Sequence, residues 1–202
     1  MPDPVITFYF DVRSPYSYLA WDPVLALPQE FAVAVEALPY TVALADAFGT
    51  PETRDAREVR KIKYTYMDVR RFANERGLTI RGTIKIYDPR IAHAAYLYAR
   101  QSGRERALYD RLLPKFWNRE VDIEDAENFV ALLGEVGAAP NGFRDYLDRK
   151  ADQDLAAIVS AADEKGLFGV PTCIFQGELF WGYDRVEVLK QRLTKAGLMR
   201  AA

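Results

Sequence analysis

Cysteine and histidine are almost absent from this chain: 202 residues hold one of each, Cys173 and His93. A single thiol excludes an intramolecular disulfide and an internal dithiol redox cycle, and it is consistent with a reducing compartment. No run approaches the roughly 20 apolar residues of a membrane span. No basic N-terminal stretch leads into an apolar one, so no signal peptide is evident. Charge of one sign is also missing. Twenty-seven basic residues face twenty-nine acidic ones, a formal charge of −2, which gives no reason to expect nucleic acid or an acidic membrane surface. The basic run from Arg54 to Arg71 reads more simply as a solvated helix face than as a binding patch. No His, Cys and carboxylate spacing suggests a metal site, and there is no internal repeat or low-complexity segment. The expectation is a soluble, cytoplasmic protein with no metal and no nucleic-acid or membrane partner.

Half of the residues are apolar, enough for a sizeable core in one domain, or one domain with a large insertion. Val5 to Phe10 is rich in β-branched and aromatic residues and reads as a strand. Ser14 suits an N-cap and Pro15 the first helical position. That helix is expected to end near Pro28, with a second strand from Phe31 to Leu38. From about Thr53 to Lys150 the apolar spacing is helical, as in Val59, Ile62, Tyr66, Val69 and Ala73. Further helices begin at Asp88-Pro89, around Leu108, after a capping box of Asp122 and Asp125, and at Asn141. A helix through Leu155 and Ala162 stops at Gly166 or Gly169. Two strands, Thr172 to Gln176 and Glu178 to Trp181, then turn at Gln176-Gly177, and Asp184 to Ala196 closes the chain as a helix. The order β-α-β, helical block, α-β-β-α predicts an α/β thioredoxin-like fold. Residues 1–45 and 152–202 form it, and 46–151 are an inserted all-helical domain.

In many thioredoxin-like proteins the first strand-to-helix turn carries Cys-x-x-Cys. Here the two positions are Ser14 and Ser17. A helix N-terminus favours an anion beside it. A free thiol, with a pKa near 8.5, is only about 3 per cent ionised at neutral pH. A serine hydroxyl donating to sulfur, with the helix end, lowers such a pKa. Ser14 is therefore either a plain cap or the partner of a thiol that arrives on a ligand. Val170-Pro171 precedes a strand at the point where thioredoxin-like folds place a cis-proline; an ordinary trans-proline opening a strand is the alternative. Asp184 either accepts an amino group or caps the last helix.

Together these segments resemble the 2-hydroxychromene-2-carboxylate isomerases and the kappa-class glutathione transferases, which share a DsbA-type thioredoxin fold with a helical insertion. The resemblance covers essentially the whole chain. It is carried by Phe10-Asp11 leading into Ser14-Pro15-Tyr16-Ser17-Tyr18, by Gly166 through Pro171, and by Phe180-Trp181-Gly182 before Asp184-Arg185. Lys61, Tyr64, Asp68 and Arg71 add a mark on one helix stripe. The resemblance implies glutathione as the thiol, with Ser14 holding its sulfur as a thiolate. It implies that Val170, beside Pro171, makes backbone contacts to the cysteinyl part. Lys61 would meet the glycine carboxylate, and Tyr183 and Asp184 would hold the γ-glutamyl end. It further implies reversible thiolate addition to an aromatic or conjugated keto acid in aromatic-compound catabolism, and a homodimer.

The chain departs from that family at Arg13, where an apolar or small residue is usual, and at Ile86-Tyr87-Asp88-Pro89-Arg90, where many members have a Phe-Pro-x-Asn segment followed by an arginine. The loop from Gly49 to Arg60 is longer than usual and lacks a recognisable glutathione-contacting asparagine. Arg13, Tyr16, Tyr87 and His93 are therefore the candidates for the electrophile pocket. Arg13 has three options: supporting a thiolate, binding a substrate carboxylate, or pointing to solvent. A lone histidine such as His93 is more often structural. Cys173 reads as an inert core thiol. Trp117 and Trp181 either line an aromatic pocket or pack a core. The alternatives to an isomerase are a kappa-like glutathione transferase or peroxidase and a non-catalytic binding protein of the same fold.

Overall fold

Val5 to Phe10 is β-branched and aromatic nearly throughout, which suits a strand covered on both faces. A computed structural model describes residues 3–44, 49 and 52–200. In chain order its elements are β1 (Val5–Phe10), α1 (Pro15–Leu25), α2 (Leu27–Glu30), β2 (Ala34–Pro39), α3 (Ala56–Glu75), α4 (Arg90–Arg100), α5 (Glu105–Trp117), α6 (Ala126–Glu135), α7 (Phe143–Arg149), α8 (Ala151–Asp163), β3 (Thr172–Phe175), β4 (Glu178–Trp181) and α9 (Val186–Lys195). Short 3-10 turns precede α7 and α9. The chain divides into two compact units, Met1–Tyr40 with Ala156–Ala202, and Thr41–Leu155. The junction expected between residues 45 and 46 lies outside the described residues.

The first unit is a mixed sheet in the order β2-β1-β3-β4. β1 runs parallel to β2, with Phe8 opposite Ala37, and antiparallel to β3, with Phe8 opposite Cys173. A parallel pair needs a crossover, which α1 supplies, whereas β3 and β4 need only a tight turn. That turn is Gln176-Gly177, both in the left-handed region at φ 51 and 81°, as a primed hairpin turn requires. Alternation along β1 sends Phe8 and Phe10 to one face, where their rings lie 6.3 and 5.1 Å from Trp21 of α1. Tyr9 points to the other and packs with Ala162, Leu167, Val170 and Ile174. α9 closes the first face through Leu189 and Leu193, both fully buried.

Two boundaries in this unit differ from expectation. β2 starts at Ala34 rather than Phe31. Phe31 donates its N–H to Leu27 C=O, which closes α2, and pairs with Met199 in an isolated antiparallel bridge. That partner lies at the far end of the chain, beyond the reach of local pattern. The helix expected to run to Pro28 breaks at Ala26, and Pro28 sits in the first turn of α2, where its missing N–H costs nothing.

The second unit is helical among its described residues. α4 packs against α5, α6 and α7. It buries the small side chains Ala92, Ala94, Ala95 and Ala99 together with His93 and Tyr96. Tyr109 of α5 donates its hydroxyl to Ala92 C=O at 2.9 Å and meets Tyr96 edge-on at 4.9 Å. The capping box expected at Asp122 and Asp125 is not formed. Asp125 caps α6 alone, accepting from Glu127 N–H, because the third helical position is Asn128 rather than Glu or Gln. A true capping box starts α3, where Asp55 accepts from Arg57 and Glu58 N–H and Glu58 reaches back to Asp55 N–H at 2.9 Å.

Candidate functional site

After β1 the backbone turns through Asp11-Val12-Arg13-Ser14, closed by a hydrogen bond from Ser14 N–H to Asp11 C=O at 2.9 Å. Ser14 has extended dihedrals, φ −86 and ψ 114°, and its Oγ accepts from Ser17 N–H at 3.2 Å. It is thus a true N-cap, which uses one acceptor site of the hydroxyl. The hydroxyl proton is not consumed by that bond, since a serine carries one donor beside two acceptor sites. Capping and donation to a bound anion are therefore compatible. Pro15 occupies the first helical position, and no acidic residue lies in the first turn of α1, so the partial positive charge of that end is not cancelled by its own side chains. Ser17 is buried in the first turn, its Oγ accepting from Asp11 N–H at 3.4 Å.

Arg13 is held on Asp11. Its Nε donates to Asp11 Oδ1 at 3.0 Å, its terminal nitrogen to Oδ2 at 2.6 Å, and its backbone N–H to Oδ1 at 2.9 Å. The side chains are 7 and 1% exposed. The option that Arg13 points to solvent is thereby corrected. Sequence reasoning missed Asp11 as its partner. The available signal was an acid two residues before an arginine in a tight turn.

The Val170–Pro171 peptide bond is cis. Pro171 C=O accepts from Gly182 N–H at 2.8 Å, and Thr172 Oγ1 donates to Gly169 C=O at 2.7 Å, which ties this loop to the start of the Tyr183–Arg185 turn. Gly182 has φ 113°, and a Cβ there would lie 2.6 Å from Asp184 Oδ1. The turn packs against α1. Asp184 is exposed and pairs with Arg185 at 2.9 Å. It caps nothing: α9 begins after Arg185 without a side-chain cap, so the plain-cap reading of Asp184 is corrected. The first unit thus carries Ser14, Val170, Pro171, Tyr183 and Asp184, with half-buried Tyr16 in the first turn of α1. Beside the loop, Trp181 lies over Gly169, whose Cβ would meet its Nε1 at 2.9 Å. The indole is edge-on to Phe168 at 4.9 Å, and both rings are more than half exposed.

Lys61, Tyr87 and His93 belong to the second unit. Lys61 is exposed on α3, on the same stripe as an Asp68–Arg71 ion pair of 3.1 Å. Tyr87 is half-buried, edge-on to Phe116 at 5.4 Å, with Lys85 Nζ 4.8 Å from its ring centre. His93 is fully enclosed, its Nδ1 3.0 Å from Thr41 Oγ1. Trp117, 1% exposed, is a core residue of this unit.

A model of the DSBA-like thioredoxin domain matches residues 5–194. The chain belongs to that family. It is 28% identical over 192 residues to the 2-hydroxychromene-2-carboxylate isomerase of Sphingobium xenophagum, covering 93% of this chain and 97% of that protein. It is 27% identical over 194 residues to the enzyme of the same name from Pseudomonas putida, covering 94% of each. Among solved structures, a 2-hydroxychromene-2-carboxylate isomerase superimposes with a TM-score of 0.80 at 24% identity over 95% of each chain.

In this DSBA-like domain the thiol positions of the turn are hydroxyls, and the one cysteine lies elsewhere. Cys173 is buried in β3, and burial pushes its thiol up to about 12, so it carries no thiolate at neutral pH. Among the described residues no group of three or more His, Cys, Asp or Glu side chains is placed to hold a metal ion, and no helix is long and apolar enough to cross a membrane.

Proposed function

We propose that the protein is a glutathione-dependent isomerase of the 2-hydroxychromene-2-carboxylate type, acting on an aromatic or conjugated keto acid. The observation that carries this is Ser14: a hydroxyl with a free donor role, at a helix N-terminus without acidic neighbours in its first turn, in a DSBA-like fold whose own turn has no sulfur. The curated relatives named for that isomerase activity match nearly the whole chain.

The residues fit glutathione in kind. Ser14 donates to the sulfur and stabilises its anion together with the α1 N-terminus. Val170, next to Pro171, offers backbone N–H and C=O groups to a peptide-like ligand. Exposed Asp184 accepts from the γ-glutamyl amino group, with Tyr183 beside it. When bound, glutathione supplies the thiolate that adds reversibly to a conjugated enone and lets the intervening bond rotate. The protein's own contribution is to keep that sulfur ionised and the two reactants oriented. The same reading carries a homodimer, read by light scattering on the eluting protein.

The test is isomerisation of 2-hydroxychromene-2-carboxylate by the full chain with and without glutathione, beside ultraviolet titration of the bound thiol. Turnover that requires glutathione, with a thiolate signal at neutral pH, supports the proposal. No binding at millimolar glutathione refutes it. Thiolate formation with conjugation of aryl electrophiles, and no isomerisation, assigns the protein to transferase chemistry instead.

A further inference from the structure

The turn that presents Ser14 contains a buried ion pair. Asp11, 1% exposed, receives three hydrogen bonds from Arg13, two from the guanidinium and one from the backbone. The two residues lie within the same hydrogen-bonded turn as Ser14, whose N–H binds Asp11 C=O at 2.9 Å. A four-residue turn keeps its ends within about 7 Å. A carboxylate so close to the α1 N-terminus acts against any anion held there, because like charges disfavour each other's ionised forms. The arginine fork covers both oxygens at once, which the single point charge of a lysine does not.

We propose that Arg13 is a positioning residue of the thiolate site: it neutralises Asp11, so that the anion held by Ser14 does not share its turn with an uncompensated carboxylate. This inference rests on the glutathione reading of the site. It also reassigns Arg13, whose Nε and one terminal nitrogen are engaged on Asp11, away from the substrate carboxylate.

Other charged groups are described on the neighbouring elements. At the end of β1, Lys165 Nζ lies 3.4 Å from Tyr9 hydroxyl. The 3-10 turn packed against α1 brings Asp184 and Arg185, which pair with each other. On α1 itself Asp22 is two turns beyond the N-terminal end, and the first turn has no acid. Within the turn, Asp11 and Arg13 are the nearest opposed charges to Ser14 along the chain.

The experiment is pH titration of protein-bound glutathione by thiolate absorbance in the full chain. It compares wild type, Arg13→Met, Arg13→Lys and the double variant Asp11→Asn, Arg13→Met, each checked for folding by thermal melting. Arg13→Met is expected to raise the apparent thiol pKa by about one unit, the lower end of the range for a nearby charge. Arg13→Lys raises it less, and the double variant, which removes both charges, returns it to the wild-type value. A folded Arg13→Met with unchanged thiol pKa overturns the proposal. So does a double variant that stays as high as the single one, because the effect is then structural rather than electrostatic. If Arg13→Met does not fold, Arg13→Lys decides: a thiol pKa above the wild-type value supports the proposal and an unmoved one overturns it. A raised KM for the keto acid with an unmoved thiol pKa returns Arg13 to substrate binding and also overturns it. Wild type without any bound thiolate is a different failure, that of the glutathione reading itself.

Discussion

Replacing Ser14 separates the capping bond seen in the structure from the proposed donation to a thiolate. As an N-cap it accepts from Ser17 N–H at 3.2 Å. Ser14→Ala removes that bond and costs about 1 kcal/mol, whereas Ser14→Gly costs only a few tenths. In a domain of this size about 1 kcal/mol corresponds to roughly 2–4 °C in Tm. As a donor to a thiolate the hydroxyl makes a hydrogen bond to a charged acceptor, worth about 1.5–3 kcal/mol. At about 1.4 kcal/mol per pKa unit that is a depression of about one to two units, enough to bring a thiol from about 8.5 to near 7. The ionised fraction at neutral pH then rises from a few per cent to about half. Both variants lose this. The expected results are a thiol titration displaced upward by one to two units in Ala and Gly alike, with a clear drop in Tm only for Ala. The rate at neutral pH falls by less than the thiolate fraction, because a more basic thiolate is the better nucleophile, and the deficit shrinks as pH rises. Differential scanning calorimetry and thiolate absorbance read the two effects independently. A Ser14→Gly protein whose bound glutathione titrates like wild type refutes the role of the hydroxyl in holding the anion and leaves Ser14 as a cap.

Three further outcomes are expected. Cys173→Ala leaves isomerase turnover unchanged, and native protein at pH 8 resists alkylation by iodoacetamide until it is unfolded, because the thiol is buried and held protonated. Gly182→Ala, forced to φ 113° with a Cβ 2.6 Å from Asp184 Oδ1, loses about 1–3 kcal/mol of stability and weakens glutathione binding measured by calorimetry. Tyr40 donates to Asp163 Oδ1 at 2.8 Å, and burial with that bond raises its hydroxyl to about 12 from 10. A raised folded-state pKa means its contribution is complete below pH 10 and is lost as pH climbs through 12. Denaturant midpoints measured across that window fall more steeply for wild type than for Tyr40→Phe.

What could be read from the sequence follows the range of the forces involved. Ser14 with Pro15 and the Gln176-Gly177 turn depend on residues a few positions apart, and they stand where their chemistry places them. The start of β2 is set by Phe31 pairing with Met199, a partner that no local pattern reveals. Composition marked β1 as a strand, but not which of its side chains face α1, nor that Val170 would pack on the cluster around Tyr9. At the site, Ser14 and Pro171 were visible through composition and order. The grip of Arg13 on Asp11 was not, since a turn places side chains by dihedral angles rather than by spacing. His93 shows the same limit: its helix face was legible, its complete enclosure beside Thr41 was not.

The half-exposed indole over Gly169 has an optical consequence. The chain has three tryptophans, and Trp21 and Trp117 are 3 and 1% exposed while Trp181 is 53% exposed. A water-soluble quencher such as acrylamide therefore reaches chiefly one fluorophore, and that fluorophore rests beside the Val170–Pro171 loop. The red-shifted, quenchable part of the emission spectrum is a built-in reporter of that loop. Titrating ligand against it follows occupancy at the loop without a label or an enzymatic assay.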